Sequence, residues 1–257
     1  MLSLWIPELP FQLAAGRDKS LAGRPLAFLS PYGPTPTLWL VNRLAKKEGI
    51  GTGEAMDRAV RSCPGLQVLD PAPLAWREAQ ASLAEFLAKL APQGKLGRIG
   101  EALVELDTLG SNQKDAANTI LKELLGSMGW KGHGGISSSG TASSVAARQE
   151  HGVETVLEGQ EASYLAPHPL SAIPNLEKGI LYRLNKLGLF EIRDIQPVPL
   201  DMLSQFLPLD NARGILQCAR GEDRPNLPML AERPHNHQVW RLRPKLSKTR
   251  RRTRSKP

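Results

Sequence analysis

Apolar and polar residues alternate along GKLGRIGEALVELDTLG, residues 94–110, as they do in a strand with one face on a core. Ala102, Val104 and Leu106 fall on one side; Glu101, Leu103, Glu105 and Asp107 fall on the other. The stretch predicts an antiparallel hairpin over 96–107. Shorter apolar runs predict strands at 2–6 (LSLWI), 24–30 (RPLAFLS), 37–42 (TLWLVN), 66–70 (LQVLD) and 131–137 (KGHGGIS). Pro7 and Pro10 cannot continue a ladder, so the first strand is expected to stop there.

A longer period marks the helices. In PLAWREAQASLAEFLAKLAP, residues 73–92, Leu83, Phe86, Leu87 and Leu90 recur at helical spacing. Helices are also expected over 112–129, ended by glycine, and over the small-residue stretch 139–152. Residues 42–65 read as two short helices broken by Gly49, Gly51 and Gly53. Strands separated by helices, with one hairpin, predict an α+β fold of the β-α-β-β-α-β kind. From residue 164 the pattern turns helical: a helix, a turn at Gly188 and a second short helix across 175–195, then two more. The expected organisation is an α+β body over 1–163 with an insertion at about 24–70, a small helical domain over 164–222, and a linker and tail over 223–257.

Charge sharpens this picture. The net charge is +8, yet nine cations crowd the last seventeen residues without an acid: Arg241, Arg243, Lys245, Lys248, Arg250, Arg251, Arg252, Arg254 and Lys256. Removing them from the 33 basic residues leaves 24 against 25 acidic ones, so the body is near neutral. Such a run is either an arm held near a polyanion, DNA in the first instance, or merely a solubilising end. No apolar face accompanies it, which disfavours a membrane surface. No apolar run is long enough to span a bilayer, and MLSLWIPELPFQL lacks the basic start of a signal peptide. Cys63 and Cys218 lie far apart with no CxxC pair, which excludes a zinc ribbon and suits a reducing, cytoplasmic setting.

Glu101, Glu105 and Asp107 on one strand face are either donors for a divalent cation or a solvated edge. The residue before Glu101, where an acidic pair would begin, is Gly100. Other chemistry is weak. His133, His151, His168, His235 and His237 are scattered, and HNH at 235–237 lacks the pattern of a nuclease. GHGG and SSSG lack the spacing of a phosphate loop, and Ser137 to Ser139 lack a GxSxG elbow.

Five segments in order carry a resemblance: LSLWIPEL, VNRLAKKEGIGTGEAMDRAVRSCPGLQVL, RIGEALVELD, HGGISSSGTASSVAARQEHG and PLSAIPNLEKGILYRLNKLGLFEIRDI. Over residues 1–225 they are similar to the palm, fingers and thumb of Y-family, UmuC-like translesion DNA polymerases. The resemblance implies a palm with a fingers insertion and a helical thumb. Active members place one carboxylate on the first strand and an Asp-Glu pair on the hairpin, to hold two magnesium ions at the triphosphate. Trp5 stands at the first-strand position, Pro7 at the nearby second position, and Gly100 and Glu101 replace the pair. The fingers positions that reach the triphosphate correspond to Arg43 and Lys46, which could equally be a solvated helix face, and a palm lysine falls at Gly140. The thumb's Gly-X-Gly turn reads Asn175, Leu176, Glu177, with its phosphate-binding amides in doubt.

This pattern of loss resembles ImuB-type proteins, the inactive members of bacterial mutagenic repair assemblies. The resemblance implies a non-catalytic, DNA-binding or scaffolding subunit with no metal or other cofactor. The implied partners are DNA, the sliding clamp, a RecA-like accessory protein and an active polymerase subunit. It also implies that a little finger is missing, with HQVWRLRP (237–244) as its one remnant and QVWRL, from Gln238, faintly similar to a clamp-binding peptide. Trp5, at the centre of the palm, is expected to pack. Two alternatives stay open. One is a divergent active polymerase that uses Glu101, Glu105, Asp107 and magnesium; the other is an unrelated basic-tailed nucleic-acid-binding module.

Overall fold

The structure is a computed structural model and describes residues 1–91, 93–106, 112–225 and 227. Its main sheet runs, in spatial order, β5 (Gly94–Leu96), β6 (Glu101–Val104), β1 (Leu2–Trp5), β7 (His133–Ile136) and β8 (Val153–Thr155). The first strand sits at the centre, antiparallel to β6 and β7, and β8 joins β7 in parallel. Side-chain alternation then divides the sheet into two unlike faces.

On one face Leu2, Leu4, Ile6, Ala102, Val104 and Ile136 are buried under α4 (Pro73–Leu90) and α5 (Gln113–Met128). Leu83 and Leu87 of α4 and Leu124 of α5 are fully buried there, each worth about 1.5–3 kcal/mol of apolar transfer. The other face carries α6 (Gly140–Ala147), a helix of small residues. Gly135 allows the close approach: a Cβ there would lie 2.0 Å from the Ser143 carbonyl and 2.5 Å from the Ala147 nitrogen. This helix packs on β7 and β1, and a cleft opens beside it over β1 and β6.

The insertion is a three-stranded sheet ordered β3 (Leu38–Val41), β2 (Leu26–Leu29), β4 (Gln67–Leu69). Helices α2 (Arg43–Lys47) and α3 (Met56–Ser62) close one side around Ala45, Ile50 and Ala59. On the other side Phe28 packs between Phe11, tilted at 4.9 Å, and Trp76 of α4, edge-on at 5.1 Å. Asn42 caps α2 and fastens the strand pair, accepting from Ala45 and Leu26 N–H at 2.9 Å.

Helices α7 (Glu161–Leu165), α8 (Lys178–Lys186), α9 (Ile192–Ile195), α10 (Leu200–Ser204) and α11 (Leu209–Arg220) form the thumb. Their core of Leu165, Leu184, Ile192 and Leu216 continues onto Ala142, Val145 and Ala146 of α6, so palm and thumb share packing through that helix. Beyond α11 the chain turns back onto the palm. The Gly140 N–H donates to the Asp223 carbonyl at 3.0 Å, and Leu227 is buried.

Three elements differ from the expectation, among them α7, which straddles the expected boundary between residues 163 and 164. Leu9–Arg17 forms a helix, α1, although Pro7 and Pro10 suggested only a stop. Pro10 lies in its first turn, where a missing N–H costs no bond, and Glu8 enters it in the left-handed region at φ 54°. The edge strand β8 was absent from the sequence pattern, being too short to display a period.

Candidate functional site

The cleft beside α6 has a volume of about 200 Å³ and lies where β1, β6, α6 and the residues after α11 meet. Trp5 and Glu101 form its floor, as direct partners across the β1–β6 ladder. Glu101 is not a solvated strand edge. Its Oε1 accepts from Arg148 Nη2 at 2.7 Å, and both side chains are largely sheltered, 24% and 33% exposed. Arg148 Nη1 also donates to the Ser144 carbonyl at 2.8 Å, which fixes the guanidinium over the carboxylate.

Gly100 is built into its turn. It sits at φ +84°, and a Cβ would lie 2.6 Å from the Ile6 carbonyl. Its N–H donates to Gln80 Oε1 at 3.0 Å, while Gln80 Nε2 donates to the Arg98 and Glu101 carbonyls. Gln80, buried on α4, thus holds the turn that carries Glu101; nothing in the sequence pattern singled it out. Trp5, expected to pack, is only half-buried; its ring centroid lies 6.1 Å from that of His133, and the residue lines the cleft. Pro7 does not line the cleft; its carbonyl accepts from Gln12 Nε2 at 2.8 Å. Glu105 is half-buried and also lies outside the lining, and Asp107 lies outside the described residues.

A pair of divalent cations needs several anionic oxygens converging on one space. Here Glu101 already carries a guanidinium, position 5 offers an indole and position 100 offers no side chain. The remaining carboxylate of the lining, Asp223, accepts instead from Ser139 Oγ, Thr141 N and Thr141 Oγ1, the last two at 2.9 Å. Burial pushes the Asp223 carboxyl above its ordinary value against those hydrogen bonds. Among the described residues, those of the cleft do not fit a metal pair.

Arg43 and Lys46 share the exposed side of α2 and face carboxylates. Arg43 pairs with Glu150, and its N–H donates to Glu8. Burial raises the Glu8 carboxyl, opposed by that N–H and by the positive charge of Lys46 and Arg43. Of these two cations, Arg43 thus has its charge met by Glu150. At Gly140 there is no lysine, and the atoms nearest its missing side chain are those of Asp223 and Pro225, at 3.2 Å. In the thumb turn Asn175 adopts φ 60° and lines the cleft. The nine tail cations, His235, His237 and Gln238 lie outside the described residues.

A mixed palm sheet with the first strand at its centre, a three-stranded fingers insertion and a helical thumb sharing the palm's α6 define the Y-family polymerase architecture. Solved structures agree. DinB from Sulfolobus solfataricus superposes with a TM-score of 0.74 at 18% identity, covering 88% of this chain and 68% of that one. The insertion ternary complex of Dbh DNA polymerase gives 0.76 at 18% identity over the same shares. Residues 4–148 match the impB/mucB/samB family, and the chain belongs to it. Among curated relatives, DNA polymerase IV of Serratia proteamaculans is 24% identical over 193 residues, which cover 72% of this chain and 54% of that protein. DNA polymerase IV of Clostridium acetobutylicum is 23% identical over 163 residues, covering 62% and 41%. The chain thus spans about half the length of these relatives. Among the described residues no helix is long and apolar enough to cross a membrane.

Proposed function

We propose that this protein is a non-catalytic Y-family polymerase-like subunit of DNA repair or translesion synthesis, acting by binding DNA and by scaffolding. The observation that carries the reading is the Arg148 guanidinium on Glu101, at 2.7 Å, with Gly100 and Trp5 at the neighbouring positions. A carboxylate neutralised by its own chain has little left to offer a cation, and of the two fingers cations Arg43 is likewise paired, with Glu150. The role would need no metal or other cofactor and would be carried out in the cytoplasm. The basic tail would supply sequence-independent DNA affinity. Partners would be the sliding clamp, a RecA-like accessory protein and an active polymerase subunit.

The names of the relatives favour a second reading, a divergent active polymerase. Primer extension separates the two. We expect no extension by the full chain with magnesium or manganese, and no difference between it and Glu101→Ala. Metal-dependent extension that this substitution removes would establish the second reading.

A further inference from the structure

We propose that the cleft binds one unpaired nucleotide of single-stranded DNA without a metal ion, its base stacked on Trp5 and its phosphate on Lys95. The inference rests on the non-catalytic reading and deepens it: a cleft unable to organise two cations still has walls suited to a base.

Size comes first. A cavity of about 150 Å³ accepts a benzene ring, so the roughly 200 Å³ here suits a single heteroaromatic ring system rather than a triphosphate with its ions. The charge balance points the same way. Lys95 and Arg148 stand against Glu101 and Asp223 on the lining. Arg148 is committed to Glu101, and Asp223 to two hydroxyls and an amide. That leaves a near-neutral interior, hospitable to an uncharged base and poor for a polyanion.

The walls supply the matching chemistry. Trp5 is half-buried, so its ring is braced yet still reachable. It leans on His133 at 6.1 Å, and its position on the central strand holds it without a flexible loop. Stacking on such a ring accepts every base, because every base has a π face. Asn175, exposed on the lining, adds an amide able to donate to or accept from a base edge. Lys95 lies exposed on the edge strand β5 at the same lining and forms no ion pair among the described residues. A free ammonium beside a neutral aromatic slot is the arrangement that takes a nucleotide's single phosphate.

The test uses the full chain in EDTA, with fluorescence anisotropy of a short oligothymidylate and of the same oligomer made abasic. Contacts made through phosphate alone, such as those of a basic tail, treat the two alike. The wild type is expected to bind the abasic oligomer about ten-fold more weakly. Trp5→Leu should bind the intact oligomer about ten-fold more weakly and no longer distinguish the two, while Trp5→Phe keeps most of the distinction. Lys95→Glu, at an exposed edge position that threatens no core, should weaken binding at least five-fold at low salt and reduce the salt slope by about one. Equal wild-type affinity for both oligomers overturns the proposal. So does a folded Trp5→Leu that still distinguishes them. If Trp5→Leu does not fold, unchanged binding by Lys95→Glu overturns it instead. Primer extension is scored separately: extension defeats the non-catalytic reading, whereas no extension together with equal affinities defeats the nucleotide proposal alone.

Discussion

A single glycine shows how closely the turn beside Glu101 is built around a missing side chain. Restoring an acid at position 100 would place a Cβ 2.6 Å from the Ile6 carbonyl, on a backbone at φ +84°. Gly100→Asp is therefore expected to cost about 3 kcal/mol or more in urea unfolding and to yield no extension activity. The Arg148–Glu101 pair makes a second prediction. Arg148→Ala leaves a sheltered carboxylate without its partner, and should destabilise the fold by about 1–2 kcal/mol. Adding Glu101→Ala should recover part of that loss, giving a coupling energy of about 1 kcal/mol. Strictly additive losses would mean that the pair is incidental. Gly100 and Glu101 were legible in the sequence through strand alternation and the hairpin, whereas Trp5 was placed by the resemblance and is less buried than expected. Arg148 was not: 47 residues separate it from Glu101, and its helix stood out only for small side chains. No local pattern encodes a contact that exists only once α6 lies on the sheet.

At the scale of elements, α6 organises the molecule, carrying the sheet on one side and the thumb on the other. Gly135→Ala would drive a methyl into its backbone, so a loss of about 3 kcal/mol or more is expected in thermal or urea melts. Asp223 ties the end of the thumb to the same helix, and burial raises its folded pKa above the ordinary aspartate value of 3.8. A carboxyl that holds its proton more tightly when folded favours the native state at low pH, and that contribution is lost as pH rises through the folded value. The stability of the wild type relative to Asp223→Asn should therefore fall as pH is raised above about 4. A difference that grows with pH would show that the hydrogen bonds outweigh burial. Element type was largely readable. The hairpin's alternation and the period of 73–92 arose from one-sided burial, and Ala102, Val104, Leu83 and Leu87 lie in the core as that pattern requires. Helix α1 was hidden because the signal of its two prolines was ambiguous: proline stops a strand, yet it also starts a helix.

At the scale of the whole chain, charge and shape divide the work. The tail carries nine cations and the rest is near neutral, so deleting 241–257 is expected to remove most of the salt dependence of DNA binding. If about half of those cations meet phosphates of single-stranded DNA, the log–log slope of the full chain is about −3. An unchanged slope after deletion would assign the polyanion to the folded body. In the cleft the Glu101 carboxylate is already paired with Arg148, and manganese binding, followed by the electron paramagnetic resonance of the free ion, measures directly whether it can still hold a cation. With the full chain bound to a primer–template and nucleotide, the account predicts the same free-manganese signal for wild type and Glu101→Ala. Depletion of that signal by the wild type, abolished by Glu101→Ala, would contradict it.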